Sequence, residues 1–248
     1  MHPVETYIQE LQAIRSSGAA VKETSYYPPL ANLLTEIGKR LKPKVRCIIH
    51  LQDTGGGLPD GGLFTEDQTR SAITDLTTGA IPARGAIEAK ATNADAWKIA
   101  ESKQVRDYWA RYRQVLVTNY RDFLLVGAGD DGNRTVLETY RLARDEQEFW
   151  RRAAHPKQFA DQQGESLEEF LKRVMLYQAP LATPGDLAWF LASYAREAKF
   201  RIETGEAHRR WQTRQGHRLV HLQLLVAGRS VVHRDARALP GGLRSNLD

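Results

Sequence analysis

The chain has almost no cysteine. Cys47 is the single one among 248 residues, so no internal disulfide can form. Its neighbours Val45, Ile48 and Ile49 mark it as a small apolar core residue, and the lack of paired cysteines suits a reducing compartment, the cytoplasm. No apolar run approaches the ~18 residues that span a bilayer. Met1-His2-Pro3-Val4-Glu5 lacks the basic-then-apolar pattern of a signal peptide, so no membrane partner is expected. Gly55-Gly56-Gly57 is not followed by Gly-Lys-Thr, and there is neither a Phe-x-Gly-x-Gly loop nor an Asn-Pro-Pro-Tyr run. Those absences exclude nucleotide-driven translocation and methyl transfer by this chain unaided.

Bulk charge is also missing from most of the chain. The net charge is +5, yet from Gly205 onward there are eight arginines against Glu206, Asp235 and Asp248, and the rest carries 27 bases and 27 acids. Any nucleic-acid face on that neutral body must come from local arrangement. The tail, residues 205–248, also holds four of the seven histidines (His208, His217, His221, His233), without the regular spacing of a metal site. Only Leu219 to Val226 suggests a strand there. So abrupt a change of character reads as a disordered stretch or a frameshifted or truncated reading frame; the alternative is a basic nucleic-acid-binding arm.

What is present supports a folded α/β core. With 42% hydrophobic residues the chain can bury a core. Apolar spacing predicts helices over Val4–Ile14, Pro28–Leu41, Glu101–Arg113, Glu165–Tyr177 and Asp186–Ile202. Strands are predicted over Val45–Leu51, Leu58–Phe64 (weakened by Gly61-Gly62), Gly85–Lys90, Val115–Thr118, Phe123–Val126 and Thr135–Tyr140. Residues 65–79 read as a loop, Asp130-Asp131-Gly132-Asn133 as a hairpin turn, and Ser166 with Glu169 as a capping box. Beyond Asp145 the chain is expected to be helical. Trp97, Trp109, Trp150 and Trp189 are expected in helical core packing rather than in stacking on bases.

Chemistry concentrates between Leu58 and Tyr108. Pro59-Asp60 and Glu88-Ala89-Lys90 supply two carboxylates and an amine, the groups required for metal-assisted phosphodiester hydrolysis. Glu88 and Lys90, two apart on a strand, share a face, while Ala89 points into an apolar layer and keeps its carbonyl available as a ligand. Gln104 and Tyr108 lie at i and i+4, on one helical face close behind that strand. Alone, a Glu-x-Lys pair is a solvated strand face and a Pro-Asp is a turn. Ala86-Ile87 before Glu88 carries the strand into a core, which places the charges at a buried edge.

In this order the pieces resemble the PD-(D/E)XK nuclease superfamily, in the branch with a Gln-x-x-x-Tyr helix. More narrowly the chain is similar to the N-terminal nuclease domain of single-chain restriction-modification enzymes linked to an N6-adenine methylase. Residues 23–30 (Glu23 to Leu30), 85–90 (Gly85 to Lys90) and 116–123 (Leu116 to Phe123) carry the likeness. It implies a restriction-endonuclease-like mixed central sheet flanked by helices, with a C-terminal helical connector. The implied layout is a nuclease-like domain over residues 1–144, the connector over 145–204, and the tail. The implied site has Asp60, Glu88, Lys90, Gln104 and Tyr108 as catalytic residues, with Asp60, Glu88 and the Ala89 carbonyl holding Mg²⁺ or Mn²⁺. Glu23 corresponds to an acid that some members carry on the first core helix. The substrate implied is double-stranded DNA, and methyltransferase and recognition modules are the implied partners. Two other readings stand beside this one: an inactive truncated fragment of such a polypeptide, and a non-catalytic DNA-binding module.

Overall fold

In a computed structural model, residues 1–18, 23–49, 58–71, 81–177 and 184–203 are described. The expectations for Gly55–Gly57 and for the tail lie outside those residues. The chain divides into two compact units, Met1–Glu197 and Ala198–Asp248. In the second, only residues 198–203, the end of a helix, are described.

Among the described residues six strands form one sheet in sequence order: β1 (Val45–Ile49), β2 (Gly61–Thr65), β3 (Ala86–Ala89), β4 (Val115–Thr118), β5 (Asp122–Ala128) and β6 (Arg134–Arg141). Every neighbouring pair is antiparallel except β3 and β4, which are parallel. A parallel pair needs a crossover, and α4 (Ala96–Ala100) and α5 (Lys103–Tyr112) provide it. This is the mixed sheet flanked by helices that the sequence led us to expect.

Period-two alternation divides the strand side chains between two apolar layers. Ile87, Ala89, Leu116, Phe123 and Leu125 join the larger layer with α1 (Pro3–Ser16), α2 (Tyr27–Gly38), α6 (Glu146–Ala153) and α7 (Pro156–Leu176). Ala86, Val115, Val117, Leu124 and Val126 face α4 and α5 in the smaller one. Each fully buried Leu, Val or Phe in these layers contributes roughly 1.5–3 kcal/mol. Cys47 packs at the edge of the larger layer, and burial pushes its thiol up to about 12. Trp150 is buried, while Trp97 and Trp109 are partly buried against the smaller layer, under the guanidinium groups of Arg141 and Arg113.

Three expectations need correction, and one short helix is additional. Residues 66–71 are helical rather than loop: α3 (Glu66–Ser71) has two acids in its first turn, where the helix dipole favours them. Gln68 on it accepts from the backbone N–H groups of Thr65 and Ala83. The helix expected over Glu101–Arg113 is α5, capped by Ser102 through the N–H of Val105; α4, which the sequence reading left out, precedes it and is capped by Asp95 through the N–H of Trp97 and Lys98. Ser166 and Glu169 form no capping box, because α7 is one 21-residue helix beginning at Pro156 and both lie in its interior. Finally, the strand expected over Leu58–Phe64 begins only at Gly61, so that Gly61-Gly62 opens β2. A Cβ on Gly61 would stand 2.9 Å from the Ile48 carbonyl oxygen, so the close approach of β1 requires the bare glycine.

Among the described residues after β6, the elements are helices: α6, α7 and α8 (Pro184–Glu203). Arg173 of α7 is only 1% exposed. Its guanidinium bonds Glu138 of β6 (2.7 Å) and Ser193 of α8 (2.8 Å), with Glu197 at 3.6 Å. No described helix is long and apolar enough to cross a membrane.

Candidate active site

The sheet ladder itself brings the carboxylates together. β2 pairs with β3 at Gly61 opposite Ile87 and Gly62 opposite Ala86. One step further along that register, Asp60 comes level with Glu88. The backbone ladder ends there, and the Asp60 side chain takes over: its Oδ2 accepts from the Ala89 N–H at 2.8 Å. Glu88 points, with Ala86, to the face that α5 covers, and is 0% exposed.

Lys90, just past β3, sits among the acids. Its Nζ lies 2.5 Å from Glu88 Oε1, 3.6 Å from Glu23 Oε1 and 3.8 Å from Asp60 Oδ2, and it donates to the Ala89 carbonyl at 3.1 Å. Glu23 comes from the 3-10 turn Glu23–Tyr26 ahead of α2, and also accepts from the Ala91 N–H at 3.1 Å. α5 closes the other side. Gln104 donates to Glu88 Oε2 (3.3 Å) and to the Tyr108 hydroxyl (2.8 Å), and that hydroxyl donates to the Leu58 carbonyl at 2.6 Å. The last bond ties the helix to the segment that leads into Asp60.

Electrostatics follow from this crowding. Burial, and next the charge of Asp60, push the Glu88 carboxyl up to about 7, while the Lys90 ammonium pulls the other way. Burial draws Lys90 down, but its bond to Glu88 and the charges of Glu88, Asp60 and Glu23 outweigh that and hold it above the ordinary lysine value. The site thus gathers three carboxylates around one ammonium.

Among the described residues, no three His, Cys, Asp or Glu side chains form a ready-made metal cluster. The donor set is instead two carboxylates and a carbonyl. Asp60, Glu88 and the Ala89 oxygen all lie within 3.8 Å of one point, the Lys90 nitrogen. Hard oxygens converging on one positively charged position, with negative charge in surplus around it, suit a divalent cation such as Mg²⁺.

All six residues singled out in sequence, Asp60, Glu88, Ala89, Lys90, Gln104 and Tyr108, therefore meet, and Glu23 joins them. Sequence reasoning missed Tyr27 and Tyr120. Tyr27, the first residue of α2, donates to Asp60 Oδ1 at 2.5 Å, and burial with the Asp60 bond holds its hydroxyl far above the usual range. Tyr120, in the left-handed region at φ 69°, donates to the Glu23 carbonyl at 3.1 Å and accepts at its own carbonyl from Tyr7 at 2.8 Å. Both lie in stretches quoted above for the resemblance, but no spacing rule links residue 27 to residue 60, or 120 to 23.

No protein-family model matches the chain. No curated protein matches it either. A solved structure described as "cryoEM structure DrdV-DNA complex" is similar over 68% of this chain, at 19% identity and a TM-score of 0.40. The chain spans 15% of the length of that one.

Proposed function

We propose that this rim is the hydrolytic centre of a Mg²⁺-dependent DNA endonuclease domain of the restriction-modification type. The observation that carries the reading is the convergence of Asp60, Glu88 and the Ala89 carbonyl within 3.8 Å of the Lys90 nitrogen at one end of the sheet. In this reading those three groups hold Mg²⁺ or Mn²⁺, which supplies Lewis acidity toward the phosphate and lowers the pKa of water. Lys90 stays protonated and presents its charge to a phosphate oxygen as negative charge develops there. Gln104 holds the Glu88 carboxylate by its second oxygen. Tyr108 keeps α5 fixed to the Leu58 segment, so that the two acids keep their spacing.

The proposal takes over the division into a nuclease-like domain (residues 1–144), a helical connector (145–204) and a tail (205–248). It also takes over double-stranded DNA as substrate, and methyltransferase and recognition modules as partners. The test is nicking of supercoiled plasmid by the purified chain with Mg²⁺ or Mn²⁺, against an EDTA control. The expected result is cation-dependent cutting that Lys90→Ala and Asp60→Asn abolish, with circular dichroism unchanged. Equal cutting by Lys90→Ala overturns the assignment. DNA binding without any cutting by the wild type replaces it with the non-catalytic one.

A further inference from the structure

Asp60 has both carboxylate oxygens committed to hydrogen bonds, from two different elements. Oδ2 is held by the Ala89 N–H at 2.8 Å, a backbone donor fixed by the β3–β4 ladder. Oδ1 is held by the Tyr27 hydroxyl at 2.5 Å. A single bond at Oδ2 would leave the carboxylate plane free to turn about χ2, since terminal sp³–sp² torsions are broad and nearly two-fold. The second bond stops that rotation. Tyr27 is itself fixed: its ring is buried in the larger apolar layer, and Pro28 and Pro29 follow it in the first turn of α2.

Glu88 has a matching arrangement from the opposite side of the sheet, with Gln104 on Oε2 and Lys90 on Oε1. Each acid thus has one oxygen turned toward Lys90, while the other is bonded by a side chain from a flanking helix. Groups that hold a ligand's second oxygen fix its orientation and tune its basicity, and their loss typically weakens metal binding roughly 10–100-fold.

We propose that Tyr27 is a positioning residue of the cation site: its hydroxyl orients the Asp60 carboxylate, so that a divalent ion meets it already aligned with Glu88. This rests on the reading of the rim as a cation-dependent hydrolytic centre, and goes beyond it by assigning a role to a residue that takes no part in the chemistry.

The test is Mn²⁺ binding to the DNA-free chain by isothermal titration, for wild type, Tyr27→Phe and Asp60→Asn. Tyr27→Phe keeps the ring and removes only the hydroxyl. The expected result is roughly 10–100-fold weaker binding in Tyr27→Phe, none in Asp60→Asn, and plasmid nicking by Tyr27→Phe that recovers as Mn²⁺ is raised. A merely structural role would depress nicking at every Mn²⁺ concentration. Wild-type affinity in Tyr27→Phe, with binding lost in Asp60→Asn, overturns the role of Tyr27 and leaves the cation site standing. Wild-type affinity in Asp60→Asn overturns both. Should Tyr27→Phe fail to fold, Mn²⁺ titration of Tyr108→Phe, followed by its tyrosine ultraviolet difference spectrum, decides. A cation on Asp60 withdraws charge from the oxygen that accepts from Tyr27 and weakens that bond without turning the carboxylate, so the spectrum shifts as Mn²⁺ binds; Mn²⁺ binding with an unperturbed spectrum overturns the proposal.

Discussion

Replacing Glu88 by glutamine should make the cation-free protein more stable at neutral pH, and should flatten its dependence on pH. Glu88 is fully buried, and its carboxyl, ordinarily near 4.5, is pushed up to about 7 by burial and by Asp60. A folded state that binds a proton more tightly than the unfolded chain loses stability as that proton leaves. Below pH 4.5 the carboxyl is protonated in both states and carries no penalty. Between pH 4.5 and about 7 the unfolded chain has released its proton and the folded chain has not, so stability falls with rising pH. The full loss is on the order of 3 kcal/mol, at about 1.4 kcal/mol per pH unit. Lys90 contributes in the same direction at higher pH. Its pKa is raised by folding, so its contribution is fully present below the ordinary lysine value and is lost only as pH rises beyond it. Urea denaturation in EDTA at several values between pH 5 and 8 measures the effect. Wild type should lose stability across that range and Glu88→Gln should lose much less. Parallel curves for the two proteins would refute the claim that the fold holds an ionised Glu88 at a cost.

Three further substitutions test the scaffold. Arg173→Ala strips the buried guanidinium from Glu138 and Glu197, and should cost on the order of 3–5 kcal/mol in urea denaturation. Arg196→Ala, which removes the partly exposed pair with Glu169, should cost about 1 kcal/mol or less. Gly85 has φ +94°, and a Cβ there would stand 2.7 Å from the Gln114 carbonyl oxygen. Gly85→Ala should therefore destabilise by on the order of 2 kcal/mol or more, through strain just ahead of the strand that carries Glu88; a thermal melt reads the result.

The sheet was legible because its strands are short apolar runs bounded by turn residues, and because Glu88 follows Ala86-Ile87 into a core. The α5 pair was legible because Gln104 and Tyr108 obey the helical period and bond each other directly. Other features depended on contacts distant in sequence. β2 could not be bounded, since its glycines weaken a strand in isolation and are required only where β1 approaches. The Ser166–Glu169 pattern was misleading because apolar packing of Phe159, Leu167 and Phe170 carries α7 straight through it. Tyr27 was invisible because its partner is 33 residues away in sequence, beyond the reach of any local spacing rule. The electrostatics of the site were equally hidden: Glu88 and Asp60 repel each other only because the β2–β3 register, carried one residue further, sets them level.

The central claim is that Asp60, Glu88 and the Ala89 carbonyl form one cation site beside Lys90. Anomalous diffraction from crystals grown with Mn²⁺ tests it most directly. The account predicts one strong peak in contact with both carboxylates and the Ala89 oxygen, with the Lys90 ammonium displaced from its place against Glu88. Density with no peak there, and Lys90 still paired to Glu88 at saturating Mn²⁺, would contradict it.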